Sequence, residues 1–181
     1  MYGLRFALAA ITALALCACQ EGTQAGTYKD SVNRDPSSLT VAKLREIVSD
    51  RTNMFYGSSH GTQIEYTSAD GRAYLWYPGN NVVLPGFWKI DEAYQSFHRP
   101  QGITVLSICF RYGANTYNPA TGHQGASWEC SSSAIADVSR IADSKQGDLF
   151  GLSQRQTPPF VLSTARTTLE DLSRRVGSAR Q

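Results

Sequence analysis

The chain has little charge, few cysteines and no apolar run long enough to cross a bilayer. Charged residues make up 18% of its 181 residues, and 17 basic against 15 acidic side chains give a formal net charge of +2. A nucleic-acid surface needs clustered basic charge, so this balance argues against a nucleic-acid partner. The sequence shows no internal repeat, no Cys-x-x-Cys spacing and no nucleotide-binding fingerprint, and therefore gives no reason to expect a cofactor.

The N-terminus is organised like a secretory signal. One basic residue, Arg5, precedes an apolar run from Phe6 to Leu16. A helix that spans a bilayer needs about 20 apolar residues, so this run predicts a cleaved signal and not a membrane helix. Without this leader, 16 basic and 15 acidic residues remain, and the mature chain is close to neutral.

The end of the apolar run, Leu16-Cys17-Ala18-Cys19, resembles the lipobox of bacterial lipoproteins. The resemblance covers the leader only. It implies a signal peptide at 1–18, cleavage before Cys19 and a lipid on the Cys19 thiol, which would anchor the protein to a membrane. Cys17 fits the motif less well, because Leu16 would then stand where a small residue is needed. A soluble secreted protein that is cleaved nearby is the alternative.

The residue after the lipobox cysteine bears on the cellular location. In lipoproteins, an Asp at this position favours retention in the inner membrane, whereas this chain has Gln20. The resemblance therefore implies a location in the cell envelope, lipid-anchored, at the outer membrane and facing the periplasm.

The mature chain divides into a tether and one domain. Residues 19–38 are polar and contain Gly and Pro, which predicts a flexible tether. Residues 39–181 would form a single disulfide-bonded domain. Helical spacing of apolar residues predicts a helix over 41–48, with Ser38 or Thr40 as its cap, and another over 134–142. A capping box from Thr167 to Glu170 predicts a C-terminal helix.

The middle of the chain alternates apolar and polar residues in short runs. Asp70-Gly71 and Gly79-Asn80-Asn81 are typical of turns, Pro85-Gly86 indicates an edge position or a bulge, and 103–112 is the longest strand candidate. These patterns predict the α+β class. The expected architecture is a small antiparallel β-meander or barrel of four to five strands, with a preceding helix and one or two C-terminal helices.

Two cysteines remain in the mature domain, Cys109 and Cys130. Export would place them in an oxidising compartment, where an isolated pair normally forms a disulfide. A redox pair and a metal site are the alternatives. The cysteines lack Cys-x-x-Cys spacing and have no nearby His at ligand spacing, so we predict a structural bridge and no metal.

Catalytic patterns are sparse. The stretch Gly57-Ser58-Ser59-His60-Gly61 lacks the spacing of a nucleophile elbow, and His98 and His123 stand on predicted loops. The sequence favours a non-catalytic protein, with Ser/His hydrolysis as the alternative. The acidic candidates are expected in turns or at outward strand positions: Glu65, Asp70, Asp91, Glu92 and Glu129.

Aromatic residues are concentrated in the predicted β region. They would form the core or, alternatively, face an apolar-ligand cavity. The candidates for ligand-facing positions are Tyr66, Trp76, Trp88, Tyr112 and Trp128.

The β region, with Asp70-Gly71, Gly86-Phe87-Trp88, Cys109 and Cys130, resembles an uncharacterised group of small secreted β-domain proteins of alphaproteobacteria. The resemblance supports the meander and the disulfide and implies no activity.

The function expected from the sequence is a non-catalytic envelope lipoprotein with a structural or binding role. Its partners would be the membrane, through the lipid, and another envelope component. The alternatives are a carrier or sensor of a small apolar ligand and an inhibitor of a cell-wall hydrolase. An inhibitor would need a projecting loop, for which 115–124 is the candidate.

Overall fold

A computed structural model describes residues 39–94, 104–119 and 121–178. The predicted signal peptide (1–18), Cys19 and the tether (19–38) lie outside the described residues, as does His98. Within the described ranges, no helix has the length and apolar character needed to cross a membrane.

The described part of the chain contains three α-helices, nine β-strands and a short 3₁₀ helix at Leu152–Gln154. The helices are α1 (Val41–Val48), α2 (Ala134–Arg140) and α3 (Leu169–Ser178). The strands are β1 (Arg51–Gly57), β2 (Gly61–Thr67), β3 (Arg72–Trp76), β4 (Leu84–Tyr94), β5 (Thr104–Tyr112), β6 (Tyr117–Asn118), β7 (His123–Gln124), β8 (Glu129–Cys130) and β9 (Ile141–Gln146).

Seven of these strands form one antiparallel sheet in the order β8-β5-β4-β3-β2-β1-β9. The α+β class and the antiparallel sheet are confirmed. The predicted count of four to five strands is too low, and the sheet is a curled half-barrel. Strands β6 and β7 pair separately as a small hairpin.

The strands that the prediction missed at one end of the sheet, β1 and β9, lack a clear apolar alternation. Their buried positions carry polar side chains that satisfy one another: Arg51 Nε donates to Ser144 Oγ over 2.8 Å, and Ser144 Oγ donates to Asn53 Oδ1 over 2.7 Å. Burying a polar group costs little when it is hydrogen-bonded. A hydropathy pattern does not register such pairs, because they form only after the strands meet.

The helices follow the predicted pattern, with two corrections. Thr40 caps α1 by accepting from Lys43 N over 3.1 Å. Helix α2 ends at Arg140 and the chain continues directly into β9, so the predicted helix over 134–142 is too long. Helix α3 is capped by Thr168, which accepts from Asp171 N over 3.0 Å, and not by the predicted box from Thr167 to Glu170.

The sheet is covered on both faces, but unequally. On the inner face, α1 and α2 pack on residues from β3, β4 and β5, among them Ala73, Trp88 and Ile108. On the outer face, the C-terminal segment and α3 pack on β1, β2 and β3 around Trp76. The described core of the outer face contains no residue from β4, β5 or β8.

The two turn signals at β3 and β4 have clear structural counterparts. Gly71, in the turn between β2 and β3, has a φ of +86°, a conformation that favours glycine. Pro85 pairs with Tyr74 of β3, and the pairing of β4 with β5 begins only at Gly86. Pro85 therefore lies where β4 has a neighbour on one side, as its missing N–H requires.

Candidate functional site

The outer face of β4, β5 and β8 carries a row of alternating aromatic and cationic side chains. Phe87 of β4 lies opposite Arg111 of β5, and Trp128 directly precedes β8. The Arg111 guanidinium carbon lies 5.0 Å from the ring centre of Phe87 and 4.9 Å from that of Trp128. Such contacts contribute about 0.5–1 kcal/mol at an exposed site and hold the cation over the rings.

A second cation extends this row. Lys89 Nζ lies 5.2 Å from the Trp128 ring centre and 3.1 Å from Asp91 Oδ2. Among the described residues, no carboxylate forms an ion pair with Arg111. We call Phe87, Lys89, Arg111 and Trp128 the aromatic–cation row. Its Phe87 ring is 45% exposed, although a residue of this kind is usually buried.

Strands β6 and β7 form a hairpin in the connection between β5 and β8, so in the chain the hairpin stands between Arg111 and Trp128 of this row. Tyr117, in β6, is 61% exposed. The backbone of the connection is tied by Gly125 N donating to Thr116 O and Ala126 N donating to Tyr112 O, each over 2.9 Å. These bonds hold an exposed aromatic ring on an ordered backbone.

Side chains tie the same hairpin to the sheet. The Glu129 carboxylate, at the start of β8, accepts from Asn118 Nδ2 over 3.2 Å and from the Thr121 hydroxyl. Gln124 Nε2 donates to Ala114 O over 2.9 Å. The predicted loop over 115–124 is thus a braced hairpin.

The disulfide joins the two strands, β5 and β8, between which the hairpin connection runs. Cys109 of β5 and Cys130 of β8 lie directly opposite in the strand register and are bonded, with their Cα atoms 4.0 Å apart. The bridge ties the two strands that carry the hairpin, at the position that the sequence predicted.

A partly buried hydrogen bond anchors the end of β5 from the inner face. The Tyr112 hydroxyl donates to Glu65 of β2, across β4 and β3. Neighbouring strands lie about 4.8 Å apart, so β2 and β5 would be about 14 Å apart in a flat sheet. The contact therefore requires that the sheet curl towards this face.

Gly86 makes room for this bond. A Cβ atom there would lie 2.7 Å from the Tyr112 ring and 2.7 Å from Arg111 O. The missing side chain lets the Tyr112 ring lie across β4. The Gly-x-Trp element of the sequence thus has a packing role here.

Glu65 is only 7% exposed, which corrects its predicted outward position. Burial raises the pKa of its carboxyl, the bond from Tyr112 partly opposes this, and the negative charge of Asp137 adds to the rise, which together bring the pKa to about 7. Burial and the nearby Glu65 carboxylate raise the pKa of Tyr112 well above its ordinary value. With a pKa near 7, the buried Glu65 carboxyl is partly protonated at neutral pH.

The two described histidines lie in turns. His60 Nδ1 is 2.7 Å from the Tyr77 hydroxyl, in the β1–β2 turn. His123 Nε2 lies 3.2 Å from Ser127 Oγ and 3.3 Å from Ser127 O, in the hairpin connection. These contacts close turns, and the structure brings neither ring into contact with a carboxylate.

The five aromatic candidates are divided between the two faces of the sheet. Tyr66 and Trp76 belong to the outer core, and Trp88 packs on the inner face, on which Tyr112 also lies. Trp128 is half-buried in the aromatic–cation row. The sheet separates the outer pair, Tyr66 and Trp76, from the inner pair, Trp88 and Tyr112. The five rings therefore do not line one shared cavity.

One cluster of potential metal ligands occurs in the described residues. Asp91, Cys109 and Cys130 have ligand atoms within 4.8 Å of one another. Both sulfurs are committed to the disulfide, and a metal ligand must be a thiolate. The donor set does not fit a metal in the oxidised protein.

No protein-family model, curated protein or solved structure matches the chain.

The sequence identified the cysteines and placed a loop where the hairpin lies, but it did not identify the aromatic–cation row. Phe87 and Arg111 are 24 positions apart, and only the pairing of β4 with β5 places them side by side. The available signal was limited to β4, where Lys89 follows Phe87 by two positions and therefore shares its face.

Proposed function

We propose that this protein is a lipid-anchored envelope lipoprotein that binds another envelope protein through the aromatic–cation row and the adjacent Tyr117 hairpin. The observation that carries the proposal is the pair of exposed rings, Phe87 and Tyr117, on a cross-braced support, with the half-buried Arg111 and Trp128 beside Phe87. Aromatic residues and arginine are the residue types that most often dominate protein interfaces.

The chemistry of the row favours a partner surface that carries carboxylates. Arg111 and Lys89 provide two cations, of which Lys89 pairs with Asp91. The planar guanidinium of Arg111 can bind a carboxylate with two hydrogen bonds while it stays stacked between two rings. A rigid support favours affinity, because little side-chain and loop freedom is lost on binding.

The envelope location rests on the lipobox-like leader, and the disulfide supports it. Disulfides persist in oxidising compartments such as the periplasm. We expect Cys19→Ser to move the protein from the membrane fraction to the soluble fraction. A protein that fractionates with membranes regardless of this change would contradict the assignment.

Site-specific photo-crosslinking in the bacterium that makes the protein tests the interface. A photoreactive phenylalanine analogue is placed at position 117, at position 87 and, as a control, at position 161. Val161 is also exposed, at 53%, but belongs to the C-terminal segment. We expect one adduct of the same mass from positions 117 and 87 and none from position 161. Equal yields at all three positions would contradict a defined interface.

A pair of matched variants sharpens the test. Arg111→Ala removes the cation of the row, whereas Arg166→Ala removes a cation that lies 5.3 Å from the ring centre of Tyr56 elsewhere. We expect the first change to lower the adduct yield at position 117 at least about fivefold, because truncating a central interface arginine costs over 1 kcal/mol. Arg166→Ala is expected to leave the yield unchanged.

The braced hairpin favours one specific version of this function, the inhibition of a cell-wall hydrolase. An exposed ring on a hairpin that is closed by a disulfide is suited to entering an enzyme cleft. The test measures muramidase, amidase and endopeptidase activity on purified cell walls with increasing amounts of the protein. Inhibition that Tyr117→Ala relieves would support it, whereas full activity of all three enzymes would exclude it.

A further inference from the structure

A polar cleft lies on the outer face next to the aromatic–cation row, since Arg72 in its lining is the strand partner of Phe87. It has a volume of about 530 Å³ and opens between the β2–β3 turn and the 3₁₀ helix at Leu152–Gln154. This volume is within the range of roughly 300–1,000 Å³ that is typical of small-molecule sites. Its lining includes Asp50, Tyr66, Asp70, Arg72, Tyr74 and Gln154.

Asp50 is held in this cleft in an unfavourable backbone conformation. Its φ is +52°, in the left-handed region that side chains other than glycine rarely adopt. Three hydrogen bonds fix it: Gly147 N donates to its carbonyl over 2.7 Å, and its carboxylate accepts from Tyr66 Oη over 2.8 Å and from Gln146 Nε2 over 3.0 Å. Strained residues that their surroundings hold in place occur preferentially at ligand sites.

The cleft also offers an aromatic wall. The Tyr66 and Tyr74 rings are nearly parallel, with an interplanar angle of 17° and centres 6.1 Å apart. Tyr66 is buried and Tyr74 is half-buried, so Tyr74 contributes the accessible ring. An aromatic ring provides apolar area for the C–H face of a ligand while its hydroxyl stays available for hydrogen bonding.

The polar groups of the cleft include both acceptors and donors. The Asp50 and Asp70 carboxylates accept hydrogen bonds, whereas the exposed Arg72 guanidinium and Gln154 amide can donate them. Hydroxyl groups both donate and accept, so a polyhydroxyl ligand can use all four. Arg72 Nε lies 3.7 Å from Asp70 Oδ2, so these two opposite charges offset each other. The negative charge of Asp50 remains, and it disfavours an anionic ligand.

We propose that this cleft binds a neutral saccharide of about two sugar units, which stacks on Tyr74 and hydrogen-bonds to Asp50, Arg72 and Gln154. The site shares no residue with the proposed protein interface, although Arg72 lies opposite Phe87, and the two proposals are tested by separate measurements. A failure of either proposal therefore leaves the other standing.

The test titrates the detergent-solubilised mature protein with cellobiose, maltose and diacetylchitobiose and detects binding by saturation-transfer NMR and calorimetry. We expect at least one disaccharide to bind saturably, and inorganic phosphate not to bind. The double variant Arg72→Ala/Gln154→Ala should weaken that binding at least about tenfold, because it removes both exposed donors of the cleft. Arg166→Ala, which changes an exposed arginine outside the cleft, is the control and should bind as the unaltered protein does.

Three outcomes would overturn the proposal. The first is that none of the disaccharides binds saturably. The second is that 1,5-diaminopentane binds and the disaccharides do not, which would make the cleft a cation site. The third is that the double variant binds the disaccharide as well as the control does. Because Arg72 and Gln154 are exposed, we expect the double variant to fold, and its circular dichroism spectrum checks this.

Discussion

The two halves of the sheet differ in how their outer faces are covered. Strands β1, β2 and β3 lie between two packed layers, whereas β4, β5 and β8 have a packed layer on the inner face and carry the aromatic–cation row on the other. Aromatic residues occupy the outer face in both halves, at Trp76 in one and Phe87 in the other. The position of the C-terminal segment therefore determines which aromatic residues form the core and which remain available to a partner.

The largest expected effect separates these two aromatic residues. Trp76 is 0% exposed, lies edge-on to Phe150 and Phe160, and donates its indole N–H to Phe160 O over 2.9 Å. We expect Trp76→Ala to lower the free energy of unfolding by about 3–5 kcal/mol, because it leaves a cavity and an unpaired carbonyl. Phe87→Ala should cost less than about 1 kcal/mol. Urea denaturation measures both, and losses of similar size would remove the distinction between the two halves.

The next effect concerns the disulfide, which belongs only to the half with β5 and β8. Its cysteines are 21 residues apart, and closing such a loop stabilises a protein by about 3 kcal/mol in the chain-entropy model. We expect Cys109→Ala/Cys130→Ala to lose about this amount, and hydrogen exchange to accelerate first in the β6–β7 hairpin. A reductant should destabilise the unaltered protein and leave the double variant unaffected. If hydrogen exchange accelerates equally in β1–β3 and in the β6–β7 hairpin, the disulfide does not stabilise one half of the sheet more than the other.

A smaller effect, which depends on pH, tests the bond that joins the halves. The pKa of Glu65 is about 7 in the folded protein against an ordinary value of 4.5, so the folded state retains a proton that the unfolded state releases between these pH values. Its contribution to stability is therefore greatest below pH 4.5 and declines as the pH rises to about 7. The upper limit of this loss is about 3 kcal/mol, and rearrangement around the carboxylate would reduce it.

Glu65→Gln removes this titration and keeps an acceptor for the Tyr112 hydroxyl. We expect the variant to match the unaltered protein near pH 4.5 and to exceed its stability at pH 8. Asp70→Asn is the control, and its stability should change with pH in the opposite direction. The hydrogen bonds from the Ser68 hydroxyl and the neighbouring backbone lower the pKa of Asp70, whereas burial raises that of Glu65. Asp70→Asn should therefore lower the stability at neutral pH, and this loss should fade as the pH falls through 3.8 and below, where Asp70 itself becomes protonated. Thermal unfolding at a series of pH values measures both, and parallel curves for Glu65→Gln and the unaltered protein would contradict a buried, protonated carboxyl.

Local patterns in the sequence were sufficient for several features. The spacing of Leu44, Ile47 and Val48 predicted α1, and Asp70-Gly71 predicted the turn that joins β2 to β3. The two cysteines predicted the disulfide. Each depends on residues close in the chain or, for the cysteines, on a pairing with no competing cysteine among the described residues.

Tertiary structure alone decided the features on which the proposals rest. Glu65 and Tyr112 are 47 positions apart and meet because the sheet curls over Gly86. The aromatic–cation row requires the register of β4 against β5, and the cleft requires Asp50 beside a C-terminal turn that contains Gln154. Hydropathy and turn patterns report local preferences, whereas these contacts arise from strand register and from which layer covers which face. The sequence by itself thus determined the helix α1, the β2–β3 turn and the bridge, and the packing of the sheet determined the remaining strands and which side chains stay uncovered.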